Sequence, residues 1–99
     1  MDINEKIKEA IRRAGYNVEK GIGCAEESFV DDGKLAITCV LDPLDHKFFA
    51  VSSDEDSAGH SCKVTKDSFD EAEVLRAVKS AFEDEKNFLA NGGEPLRTV

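Results

Sequence analysis

Apolar residues recur with a helical period at the start of the chain. Ile3, Ile7, Ala10, Ile11 and Ala14 share one stripe of an α-helical repeat. Asp2 stands where an N-cap belongs, with Glu5 three residues later as in a capping box. Arg12 and Arg13 suit the negative end of the helix dipole, and Gly15 supplies a stop. The stripe is narrow, so the predicted helix lies on a surface rather than inside one.

The period then changes to two. Residues 16–19 can begin extended structure before Gly21-Ile22-Gly23 interrupts it. Residues 27–30 predict a short strand, and Asp31-Asp32-Gly33 a hairpin turn. Residues 34–41 predict the next strand, with Leu35, Ile37, Cys39 and Leu41 on one face and Ala36, Thr38 and Val40 on the other. Asp42-Pro43-Leu44-Asp45 is a second turn. Residues 47–53 follow as a strand that sets Phe48 and Ala50 opposite Phe49 and Val51. After a polar, acidic loop over residues 53–59, residues 61–66 predict a fourth strand with Cys62 and Val64 together. Two strands that are apolar on both sides predict central positions and a second sheet face that is not simply wet.

Helical spacing returns near Ser68, where Ser68-Phe69-Asp70-Glu71 matches a capping box. Ala72, Leu75, Val78, Phe82 and Leu89 form a stripe, widened by Val74, Ala77, Ala81 and Phe88, and the helix is expected to run to about Asn91 before Gly92-Gly93 and Pro95 end it. The expected architecture is a single two-layer α+β domain over residues 1–99. It has an N-terminal helix, a three- to four-stranded antiparallel sheet and a long C-terminal helix, with both helices on one face. Residues 93–99 are expected to form a loose tail.

The 99-residue length supports one core and no more. The net charge of −8 matters mainly through its placement: residues 21–60 carry nine acids and two bases. A field of that sign repels phosphate, so neither direct nucleic-acid binding nor an anionic membrane partner is expected, whereas a basic protein would be attracted. No apolar run reaches the length of a membrane helix. Three cysteines, Cys24, Cys39 and Cys62, make an odd count without a close pair, and the first residues show no secretory leader. The expected compartment is cytoplasmic, with reduced thiols.

Candidate chemistry is sparse. His46 and His60 are the only imidazoles, and a cysteine nucleophile would need one of them. His60-Ser61-Cys62 sets two zinc-type ligands on one side of a strand, and Cys24 and His46 could complete a set, but no C-x-x-C anchors it. Residues 54–59 begin like a calcium loop, with acids at Asp54 and Asp56 and a glycine at Gly59. They depart from it at Ala58 and at Thr65, where the bidentate glutamate belongs. Gly21-Ile22-Gly23 is followed by Glu26 where a dinucleotide fingerprint needs its third glycine. The expectation is no enzyme, no catalytic residue, no cofactor and no metal.

The segment Phe88-Leu89-Ala90-Asn91-Gly92-Gly93, with the helix–sheet–helix order, resembles acidic secretion chaperones, although the chain is short for that class and lacks its later strands and helix. The primary expectation is different. It is a small acidic binding protein that inhibits or antagonises a basic, nucleic-acid-binding type of protein partner, as immunity proteins, antitoxins and phage anti-defence proteins do. Its docking residues are expected to be Glu26, Glu27, Asp31, Asp32, Asp42, Asp45, Asp54, Glu55 and Asp56 at the turns, with Phe49 and Val51 on the second sheet face. The alternative is a chaperone-like or adaptor homodimer acting through apolar sheet contacts.

Overall fold

The computed structural model describes residues 2–22, 27–42 and 44–99. The elements run α1 (Ile3–Arg13), β1 (Asn17–Val18), β2 (Ser28–Asp31), β3 (Ala36–Asp42), β4 (Lys47–Val51), β5 (His60–Lys63) and α2 (Glu71–Ala90). The strands form an antiparallel meander in the order β1-β2-β3-β4-β5, so the α+β sheet has five strands rather than three or four. The extra strand is β1, two residues that pair Asn17 with Asp31 and Val18 with Val30.

α1 begins where its cap predicts: the Asp2 side chain accepts the Glu5 N–H at 2.9 Å. Ile7, Ala10 and Ile11 are fully buried, and Gly15, at φ +101°, takes the left-handed position just past the helix. α2 starts later than the Ser68 reading. Its N-cap is Asp70, whose carboxylate accepts the Ala72 N–H at 3.0 Å. Ser68 is instead held in a turn by Thr65, whose hydroxyl accepts the Ser68 N–H at 2.9 Å, and Val64 bridges to Phe69. The reason is apolar: Phe69 packs against the core only while its backbone stays extended beside Val64, so the next good capping residue opens the helix.

Both helices lie on one sheet face. α2 crosses β3, β4 and β5 and touches α1, which covers β1. Ile37, Cys39, Leu41, Phe48, Ala50 and Val30 from the sheet meet Ile7, Ile11, Val74, Ala77, Val78, Ala81 and Phe82 from the helices. Tyr16 stacks on Phe82 with ring centroids 5.1 Å apart. The opposite face carries Phe29, Ala36, Thr38, Val40, Phe49 and Val51. Register sets them in rows, Phe29–Thr38–Val51 and then Val40–Phe49. Thr38 is buried among its neighbours and the others are half-buried, with neither helix over them.

An acidic side chain enters the helix side. Glu85 on α2 is fully buried and its carboxylate accepts both the Ser53 N–H, at 2.8 Å, and the Ser53 hydroxyl, at 2.6 Å. Two charge-assisted bonds meet the requirement that a buried carboxylate be hydrogen-bonded. Residues 93–99, expected loose, make specific contacts. Leu96 N–H donates to the Ser53 hydroxyl at 3.1 Å, and the Arg97 guanidinium pairs with Glu19.

Candidate docking surface

In a meander, successive turns alternate between the two ends of the sheet. Asp31 and Asp32, at the β2–β3 turn, therefore share an end with Asp54, Glu55 and Asp56, which follow β4. Asp42 and Asp45, at the β3–β4 turn, lie with Glu27 at the other end. β3 alone spans seven residues between them, or about 20 Å. Glu26 falls outside the described residues, as do Cys24, Gly23 and Pro43. Phe49 and Val51 stand on the face away from both helices.

Several of these carboxylates also build the turns. Asp32 accepts the N–H groups of Lys34 and Leu35 at 2.9 and 2.8 Å. Asp31 accepts Gly33 N–H at 3.0 Å and the Asn17 side-chain amide at 2.9 Å. Asp42 accepts Leu44 and Asp45 N–H at 2.9 and 3.2 Å, and Asp54 accepts Asp56 N–H at 3.0 Å. These are Asx-type turns, in which the side chain substitutes for a backbone partner. Among the eight described acids of that set, turn N–H groups are accepted by Asp31, Asp32, Asp42 and Asp54, and not by the side chains of Glu27, Asp45, Glu55 or Asp56.

The end carrying residues 54–57 gathers acids that the sequence reading did not group there. Asp54, Asp56, Ser57 and Asp84 line a cleft of about 490 Å³ together with Asn87, Phe88, Asn91 and Gly93. A second hollow of about 450 Å³ shares Asp54, Asp56 and Phe88 and adds Glu55 and Glu94. Among the described residues no lysine or arginine lines either hollow, and the last turn of α2, which ends here, carries no base to offset its dipole. Phe88 is the apolar floor. Gly93 lets the tail pass over it: its N–H donates to the Phe88 carbonyl at 2.9 Å, and a Cβ there would sit 2.5 Å from the ring.

At the rim, one Asp84 oxygen accepts the Ser57 hydroxyl at 3.2 Å and meets His60 Nε2 at 2.7 Å. Serine and histidine both attach to the carboxylate, so the order serine–histidine–carboxylate that activates a nucleophile is not formed. His60 and Cys62 do share a sheet face, since they pair with Ala50 and Phe48. His46 sits beyond the far end of β4, its carbonyl accepting Val64 N–H. Among the described residues, no group of three or more His, Cys, Asp or Glu is arranged to hold a metal ion. Burial pushes the Cys39 thiol well above its ordinary range, and Cys62 is raised by burial and then by the nearby Glu73 carboxylate. Both shifts disfavour a reactive thiolate. No helix among the described residues is long and apolar enough to cross a membrane.

Comparison of the chain with protein-family models, curated proteins and solved structures finds no match.

Proposed function

We propose that this chain is a small acidic, non-enzymatic binding protein that antagonises a basic protein partner, such as one whose own role is to hold nucleic acid. The observation that carries the reading is the base-free, acid-lined cleft around Phe88. Carboxylates there stand beside the C-terminal end of α2 and an aromatic ring, a combination that favours a guanidinium or ammonium group. Inhibition then means covering the basic surface that the partner would otherwise offer to phosphate.

The test is association kinetics with the basic protein that the chain captures, at about 20 mM and about 300 mM salt. The on-rate is expected to fall at least about tenfold with salt, because long-range attraction is screened. Glu55→Lys with Asp56→Lys should slow association and flatten that dependence. Asp45→Lys, at the opposite end, should do much less. Equal rates at both salts would defeat the reading. A second reading, a homodimer joined through the Phe49–Val51 face, draws on the half-buried apolar rows there. It predicts a mass twice that of one chain by light scattering, halved by Phe49→Lys.

A further inference from the structure

Arg97 in the tail lies on the sheet face that the helices leave open. Glu19 N–H donates to the Phe29 carbonyl at 3.1 Å, which continues the β1–β2 register and sets Glu19 beside Phe29 on that face. The Arg97 guanidinium lies 4.7 Å from the centre of the Phe29 ring and pairs with the Glu19 carboxylate. A carboxylate next to an aromatic face is a site for an arginine, since the planar cation can stack and donate hydrogen bonds at once. The segment reaches it by passing around the sheet end near Lys34, Leu35 and Ala36.

The occupant is weakly held. The Arg97 and Glu19 side chains remain 43% and 48% exposed, and exposed ion pairs and cation–π contacts are each weak. Leu96 and Val99, on either side, are 65% and 52% exposed, so the tail's large apolar groups face water while its arginine is seated. Beyond the Phe29–Thr38–Val51 row lies the Val40–Phe49 row, apolar and half-buried.

We propose that the Glu19–Phe29 site receives an arginine of the basic partner, and that Arg97 fills it in the free protein as an internal stand-in that the partner displaces. The occupant is an extended segment in which an arginine is followed two and four residues later by apolar side chains, so that all three point to the same side: the arginine exchanges with Arg97 and the apolar residues settle on Val51 and Phe49. Exchange of one guanidinium for another leaves the local charge balance unchanged, so the added apolar contact drives it. This inference rests on the acidic-antagonist reading and specifies what the partner presents.

The test measures fluorescence anisotropy of a labelled Arg-Ser-Leu-Ser-Leu peptide, whose arginine and leucines share one side when extended, with the full chain, alongside the matching lysine peptide. Arg97→Ala should tighten the arginine peptide by about fivefold or more by removing the competitor, and the lysine peptide by less. Glu19→Gln and Phe29→Ala, each added to Arg97→Ala, should cancel the gain. Glu19→Gln keeps the test decisive if Phe29→Ala fails to fold. No tightening in Arg97→Ala, or tightening that survives Glu19→Gln, overturns the proposal. If the gain is absent but binding is salt-dependent and is lost in Glu55→Lys with Asp56→Lys, the arginine site alone falls. If binding ignores salt altogether, the acidic-antagonist reading falls with it.

Discussion

Phe48 and Phe49 are neighbours on β4 and differ only in which side of the sheet they take. Phe48 is fully buried among the helices, whereas Phe49 is half-buried on a face that no helix covers. The same contrast holds on β3, where Cys39 faces the core and Val40 faces away. Identity is therefore a poor guide to role here, and register is a good one. Because the side-chain period is two, a slip of one residue would exchange the two sets. The core face is closed by two helices and carries stability. Neither helix covers the open face, and an arginine from the tail lies over Phe29 at its edge.

The strongest way to break this comparison is Phe48→Ala. The ring is fully enclosed, so its loss should cost about 3–5 kcal/mol, read as a drop in the urea midpoint at unchanged slope. Glu85→Ala is expected next, at about 1–3 kcal/mol, because it strips the Ser53 N–H and hydroxyl of their buried acceptor. Ser53 also holds Leu96, so this change should speed hydrogen exchange at the Leu96 amide more than Phe48→Ala does at equal stability.

The buried thiol gives a pH-dependent version of the same test. Cys39 keeps its proton in the folded protein because burial raises its pKa. An unfolded thiol titrates near about 8.5. The stability this contributes is complete below that value and is lost as pH climbs from there toward the folded value, by up to about 1.4 kcal/mol per pH unit. Cys39→Ala should remove that alkaline slope while leaving any slope from other groups. An unchanged slope would mean the thiol is not sealed from water.

What could be read from the sequence follows how local each signal is. α1 and the turns at Asp31-Asp32-Gly33 and Asp42–Asp45 were legible, because caps and Asx turns act over two or three residues. β1 was legible only as extended chain over residues 16–19: Asn17 and Val18 are too few to show alternation, and pairing with Asp31 and Val30 makes them a strand. Glu85 had a signal that composition obscured, since it follows Val78, Ala81 and Phe82 on the buried stripe of α2, where an acid needs an internal partner. His60 with Asp84, and Arg97 with Glu19, join elements far apart in the chain, and no local pattern announces them. The candidate docking acids among the described residues were legible as residues at or beside turns. Their division between two ends follows from strand order, which alternates turns along the meander.

The finest separation of the two faces comes from Phe49→Ala and Val51→Ala. Each side chain is half-buried and unroofed by either helix, so truncation should cost only about 1 kcal/mol, well below the Phe48 effect, because much of the removed surface already met water. If the open face is used for recognition, both changes should leave the urea midpoint nearly intact and raise the rate at which the basic partner dissociates, since apolar contacts formed after docking act mainly on dissociation. Charge reversal at Glu55 and Asp56 should act on the other limb, slowing association with little change in dissociation. A Phe49→Ala loss as large as that of Phe48→Ala would place Phe49 in a second core and remove the distinction between the faces. A dissociation rate unmoved by either truncation would leave binding to the acid-lined end alone.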